Sequence, residues 1–204
     1  MLIEFVEECG KRNFLPIDLD RHVIPEIRAR GVCDDIYCFL DPDLDIRSLR
    51  GHHVSEEIPW GEGVTKIHAT ITYGRGTGET VRLVCCKEIL HLLDPKSCQT
   101  STVEEIEYLS GKIALPEGLV DPTDGTQVLT DRMVLILALA VLFPMGARDI
   151  LLPAYRAGKI TLERIADDAE LPPEHVAMVL HDSWPQYLAS VLQFVKMLSE
   201  LKSK

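Results

Sequence analysis

The spacing of apolar and polar residues changes along the chain and predicts a small sheet followed by helices. The clearest strand is VTKIHATITY, residues 64–73, because apolar and polar side chains lie mostly on opposite faces of it. Two further segments rich in strand formers precede it, DDIYCFLD at 34–41 and the weaker HHVSEEI at 52–58. The pattern therefore predicts three strands between residues 34 and 73.

Helical spacing precedes the strands and dominates after them. Helices are predicted over Leu2 to Cys9 and from about Asp20 to Arg30, the second ended by Gly31. After residue 80, predicted helices follow one another: RLVCCKEILHLLD with Thr80 as N-cap, then 101–111 with a capping box in Ser101 and Glu104, an apolar helix from Thr130 to Pro144, and helices at 147–157, 161–168, 173–181 and 185–202.

This order predicts an α+β fold that is mostly helical, with a three-stranded sheet before the helix that contains Lys87. Residues 1–114 would contain the sheet and that helix, and residues 115–204 would form a helical part packed on them. A Pro/Gly/Asp-rich loop at 115–127 lies between the two parts. We expect them to form one compact unit.

Composition and charge narrow the class of protein. The 204 residues are 46% hydrophobic and 26% charged, which is typical of a soluble globular protein. The formal net charge of -11 argues against broad binding to nucleic acid or to an anionic membrane. The N-terminal apolar stretch contains acidic residues, unlike a secretory signal, and the longest apolar run, 133–143, is shorter than the roughly 20 residues that span a bilayer. A cytoplasmic protein is expected.

The segment RLVCCKEILHLLDP, residues 82–95, is the main candidate for chemistry. Residues four apart share one helix face, so a His-Glu-x-x-His helix can hold Zn²⁺ with two imidazoles while the Glu takes a proton from the bound water. Here the corresponding residues are Lys87, Glu88 and His91. A protonated ammonium has no lone pair to give a metal, so Lys87 conflicts with a zinc site.

The segment nevertheless resembles the motif helix of the ImmA/IrrE family of zinc-dependent metallopeptidases, Arg-x-Thr-Leu-Ala-His-Glu-Leu-Gly-His-Leu-Leu. Arg82, Glu88, His91 and the Leu-Leu pair at 92–93 are in register with it. Asp131, followed by Val-Leu-Phe-Pro at 141–144, is similar to the family's acidic downstream helix, and AGKITLERIADDAELPPEHVAMVL at 157–180 is similar to its tail. The resemblance covers roughly residues 60–182 and implies a zincin-like fold.

The resemblance implies that His91 and Asp131 are metal ligands and that Glu88 is the general base. A third ligand would then have to replace the missing histidine, and His68 on the neighbouring strand is the candidate. Family members cleave or control repressor-type transcription factors in phage, mobile elements and stress responses, which implies a bacterial or phage setting and a protein partner.

Three interpretations of the segment remain open. In a metal-free relic, Lys87 would fill the space of the ion and pair with Glu88 or Asp131, and His91 would hydrogen-bond to Asp94, three residues away. In an altered metal site, zinc would still bind. In the third interpretation, these residues are the solvated side of an ordinary amphipathic helix.

Three hypotheses about function follow. The first is a regulatory or interaction protein, a pseudo-peptidase that needs no cofactor and binds a protein partner. The second is an active zinc-dependent hydrolase in which Glu88 is the general base. The third is an acidic protein that blocks a nucleic-acid-binding partner.

Two C-terminal patterns bear on partners. Residues 162–180 have the spacing of a helix-turn-helix, but their acidic side chains would repel DNA, so a packed helical hairpin is predicted. The last helix contains an apolar stripe that predicts core packing or, alternatively, a homodimer or partner contact. The residues of that stripe are Leu188, Val191, Leu192, Val195 and Leu198.

Overall fold

The structure is a computed structural model, and it describes residues 1–44, 50–61, 63–94 and 126–201. It confirms an α+β fold that is mostly helical with a small three-stranded sheet. Before the sheet lie α1 (Leu2–Cys9) and a π-helical turn (Leu19–Val23) that continues as α2 (Ile24–Ala29). Gly31 follows with φ of 72°, in the left-handed region that favours glycine, and ends this helical segment as predicted.

The sheet contains β1 (Asp35–Leu40), β2 (Gly51–Pro59) and β3 (Thr65–Tyr73), in the order β1-β3-β2. β1 runs parallel to β3, and β2 runs antiparallel to it. All three predicted strands are therefore present. Ala69 and Ile71 of β3 are fully buried, because the apolar face of this central strand is covered by the next helix.

Helix α3 (Gly78–His91) contains the candidate motif and lies between β2 and β3 on one side and α4 on the other. Residues 83–91 are all buried, which a helix covered from both sides requires. The prediction of Thr80 as its N-cap was wrong. The cap is Thr77, whose hydroxyl accepts from the backbone N–H of Thr80.

The C-terminal part contains five helices among the described residues. The helix predicted from Thr130 to Pro144 is observed from Thr126 to Leu142. Several predictions lie outside the described residues. They are the helix at 101–111 with its capping residues Ser101 and Glu104, the loop residues 115–125, and the boundary between 114 and 115. The five helices are α4 (Thr126–Leu142), α5 (Met145–Arg156), α6 (Leu162–Ala169), α7 (Pro173–Leu180) and α8 (Trp184–Leu201).

The apolar stripe of α8 belongs to the core of the chain. Leu188, Val191 and Val195 are at most 9% exposed, Leu192 packs against them, and α8 contacts α1, α4 and α7. The prediction of core packing is therefore confirmed for these side chains, whose burial on other helices stabilises the fold, while a partner or homodimer contact through the last helix stays a prediction. Leu198, near the helix end, is partly buried.

Two further findings concern the helices. In the described part of the chain, no single helix is long and apolar enough to cross a membrane, although the bent pair Asp131–Leu142 and Met145–Arg156, at 70° to each other, meets that test of length and composition together. Helices α6 and α7 pack against each other, which confirms the predicted helical hairpin.

Candidate functional site

Ionisable side chains meet in the buried space between β2, α3 and α4, and we call this set the ionic cluster. Its members come from separate parts of the chain and are joined by charge–charge contacts. Most of them are less than 10% exposed, so water screens their charges only weakly. The ionic cluster consists of His53 on β2, Lys87, Glu88 and His91 on α3, Asp94 just after α3, and Asp131 on α4.

Lys87 lies between two carboxylates. Its Nζ is 2.5 Å from Oδ1 of Asp131 and 3.0 Å from Oε1 of Glu88. The second contact is an ion pair only, because Oε1 of Glu88 is buried and has no hydrogen-bond partner among the described residues. Burial alone would lower the pKa of Lys87, but the charges of Glu88 and Asp131 outweigh it and raise this pKa. The ammonium therefore stays protonated in the interior.

The two carboxylates respond to the same contact. Burial favours the neutral form of Glu88 and of Asp131, but nearby positive charges and hydrogen bonds, of which the Lys87 charge is the largest contribution, together outweigh burial and lower the pKa of both carboxyl groups. Oε2 of Glu88 also lies 3.3 Å from Nδ1 of His53, a contact that favours the ionised carboxylate. Glu88 and Asp131 are thus held as anions by protein groups alone.

Both ring nitrogens of His91 face carboxylates. Nδ1 is 2.7 Å from Oδ2 of Asp94, which confirms the predicted pair, and Nε2 is 3.4 Å from Oδ1 of Asp131. Burial acts to lower the pKa of His91, but these carboxylates outweigh it and raise the pKa to about 10. An imidazolium has no free lone pair, so in this state both ring nitrogens of His91 carry protons that face its two carboxylate neighbours.

His53 was missed by the sequence reasoning. In the register of the sheet it pairs with Ile71, whose side chain lies on the buried face, so His53 also points toward α3. Its ring lies nearly parallel to that of His91, with centroids 5.7 Å apart. The alternation of side chains in HHVSEEI would place His53 on the face toward α3 only once the register with β3 is known.

Gly51 lets β2 approach α3 closely enough for these contacts. A Cβ atom at Gly51 would lie only 2.6 Å from Cγ1 of Val84 and 3.4 Å from Cγ of Glu88. Any larger residue would force the start of β2 away from the helix. The missing side chain therefore helps to hold His53 beside Glu88.

The structure does not bring His68 to the ionic cluster. Side chains alternate along β3, and α3 packs on the face that contains Ile71, so His68 lies on the opposite face. Its Nε2 is 3.5 Å from Oδ2 of Asp35, and its ring contacts that of Tyr37 edge-on. His68 therefore cannot replace the missing ligand in this arrangement.

Arg82 also lies outside the ionic cluster and joins three segments of backbone. Its guanidinium donates to the carbonyls of Ala169 and Glu170 at 2.6 Å and to the carbonyl of Ile17 at 2.9 Å. The first two are at the C-terminal end of α6, where carbonyls lack partners within the helix. Arg82 thus fixes α3 relative to α6 and the N-terminal segment.

The side chains present do not fit a zinc ion. Within the described ranges, no three His, Cys, Asp or Glu side chains are placed so that they could hold one metal. His91 and Asp131 are brought together, but the Lys87 ammonium contacts the same Asp131 oxygen, and a catalytic zinc site needs about three protein ligands. The cluster is instead a closed set in which Lys87 and His91 face three carboxyl groups.

Comparison with protein-family models, with curated proteins and with solved structures finds no match for this chain. The likeness to ImmA/IrrE peptidases therefore remains a resemblance of motif and element order.

Proposed function

We propose that this protein is a regulatory or protein-interaction protein, built on an ImmA/IrrE-like scaffold in which the ammonium of Lys87 replaces the metal. One observation carries the proposal: Nζ of Lys87 lies 2.5 Å from Asp131 and 3.0 Å from Glu88. In the resembled motif, the residue at this helix position would ligate the ion that Asp131 also binds. Here the same helix position supplies the positive charge itself.

The charges of the ionic cluster support this proposal. Two buried carboxylates without a cation would each cost several kcal/mol, and a divalent ion is one way to remove that cost. Lys87 removes it with a single side chain, and His91 supplies a second positive charge beside Asp131. The positive charges of the cluster thus come from protein side chains, and this pairing favours stability of the scaffold.

The rival proposal, a hydrolase with Glu88 as general base, receives less support from the same geometry. A general base works best with a pKa near the working pH, and the pKa of Glu88 is lowered by Lys87. Its two oxygens face Lys87 and His53, and the residue is only 3% exposed. A substrate or a water for attack would have to displace one of these contacts.

The partner class in this proposal comes from the resemblance and from the charge of the chain. The resembled family cleaves or controls repressor-type transcription factors, and without catalysis a protein of this kind would act by binding. The net charge of -11 would attract a basic partner and speed its association at low salt. We therefore propose a transcription regulator of phage or mobile-element type as the partner.

Metal analysis tests the proposal directly. Protein purified without chelator and without added zinc is expected to contain far less than one metal ion per chain, and its melting temperature should not change with chelator. The matched variant is Glu88→Gln with His91→Ala. Stoichiometric zinc in the unmodified protein that is lost in this double variant would overturn the proposal in favour of the hydrolase.

A further inference from the structure

A second site lies away from the ionic cluster, where the segment after α1 meets α5 and the end of α6. It is a cleft of about 460 Å³, within the usual range for ligand pockets. Its apolar walls include Phe14, Ile150 and Leu151, and its acidic rim consists of Asp167, Asp168 and Glu170. We call it the Phe14 cleft.

Hydrogen bonds to backbone carbonyls hold the walls of the Phe14 cleft together. The Arg82 guanidinium joins Ile17, just after the first wall, to the carbonyls of Ala169 and Glu170 beside the rim. On the other side, the N–H of Gly146 donates to the carbonyl of Gly10 at 2.9 Å, which holds the start of α5 against the N-terminal segment. The cleft is therefore preformed and does not depend on a ligand to assemble it.

The cleft presents apolar surface that the chain does not cover. Phe14 is 44% exposed and Ile150 is 59% exposed, and both are in the walls. Large apolar side chains that remain exposed in a preformed cleft are typical of a binding surface. One edge of the Phe14 ring is already packed against His22, at 5.1 Å between centroids, which fixes the orientation of the ring.

The charge around the cleft selects the ligand. All the charged residues that line it are acidic, and they lie at the C-terminal end of α6, where the helix dipole is negative. Asp168 is paired with Arg164 on the same helix, and Glu170 lies 3.9 Å from Arg82, but no described cation lies within 4 Å of Asp167. An incoming cation would therefore find an open carboxylate beside an apolar wall.

From this geometry we infer that the Phe14 cleft binds a linear segment of a protein partner that presents an arginine beside an apolar side chain. The apolar neighbour would pack on Ile150 and Leu151, and the guanidinium would pair with Asp167 and lie over the Phe14 ring. The volume of about 460 Å³ matches a few side chains of a short segment, and we take the occupant to be such a segment. The inference rests on the proposed function only in taking the occupant to be a protein.

Titration calorimetry with a matched pair of peptides tests this inference. The probes are acetyl-Leu-Arg-Leu-amide and its citrulline analogue, which has nearly the same shape and no charge. We expect saturable binding of the arginine peptide, at least tenfold weaker binding of the citrulline peptide, and a loss of affinity for the arginine peptide as salt rises. Equal affinity for both peptides, or no binding of either, would overturn the inference.

Substitution of two exposed residues of the cleft tests whether the peptide binds there. Asp167→Asn should weaken the arginine peptide at least fivefold without affecting the citrulline peptide, and Ile150→Ser should weaken both. The control variants, Glu163→Gln on the same helix and Met197→Ser on α8, remove a charge and an exposed apolar side chain outside the cleft and should bind like the unmodified chain. Control variants that lose as much affinity as the cleft variants would contradict the site. None of these residues contacts the ionic cluster, so this test and metal analysis fail independently.

Discussion

Replacement of Lys87 by methionine removes the charge at the centre of the ionic cluster with little change in volume. Each of its two contacts, at 2.5 and 3.0 Å, is worth about 6 kcal/mol at an effective dielectric constant of 20. Burial of the ammonium cancels part of that gain, but the variant leaves Glu88 and Asp131 buried without their cation. Removing one partner of such a pair costs about 3–5 kcal/mol.

We therefore expect Lys87→Met to lower the free energy of unfolding by about 4 kcal/mol, which for a chain of this size lowers the melting temperature by about 10 °C. Urea unfolding followed by circular dichroism at pH 7 measures it. The matched control is Arg164→Met, which breaks the exposed pair with Asp168 and should cost about 0.5 kcal/mol or less.

The pH dependence of the same variant sharpens the test. Without Lys87, the folded-state pKa of Glu88 and of Asp131 should rise, because burial then acts without its main opposing charge. Protonation of these carboxyl groups would remove the buried negative charges that destabilise the variant. The difference in free energy of unfolding between the variant and the unmodified chain should therefore shrink as the pH falls from 7 toward 5. A Lys87→Met variant as stable as the Arg164→Met control at pH 7 would refute the reasoning.

Three further predictions use other contacts. Because the pKa of His91 is raised to about 10, its contribution to stability is complete below about pH 6.5 and should be lost between pH 6.5 and 10. In His91→Gln, the free energy of unfolding measured with urea should therefore change less with pH over that window. Gly51→Ala should cost about 1–3 kcal/mol in the same assay, since its Cβ would overlap Val84, whereas Gly78→Ala meets open space and should cost nothing. Arg82→Met should lower the melting temperature through lost bonds to three carbonyls while leaving the His91 titration, followed by NMR, unchanged.

Local patterns predicted most of the elements because their periods are strong. The alternation in residues 64–73 indicated β3 and its buried face, and the apolar helix ending before Pro144 was correct to within two residues at its C-terminus. The N-cap was placed at Thr80 instead of Thr77 because several threonines and glycines at 75–80 are all compatible with a helix start, and only the backbone geometry selects one.

The candidate site was predictable only where its residues share one helix. Lys87, Glu88 and His91 lie on α3 at fixed spacing, so their proximity follows from helix geometry. His53 depends on the register between β2 and β3, which tertiary pairing sets, and a shift by one residue would turn it to the other face. His68 was proposed from its strand alone, but its position on the polar face already placed it away from the helix that packs on the apolar face.

The central claim is that Lys87 occupies the place of a metal ion, and restoring the motif tests it most directly. In Lys87→His, two imidazoles and Asp131 would surround that place, and we expect zinc titration followed by calorimetry to give about one site per chain. Three controls should not show this zinc site: the unmodified chain, the double variant Lys87→His with His91→Ala, and Lys159→His. A folded Lys87→His variant that binds no more zinc than the Lys159→His control would contradict the claim.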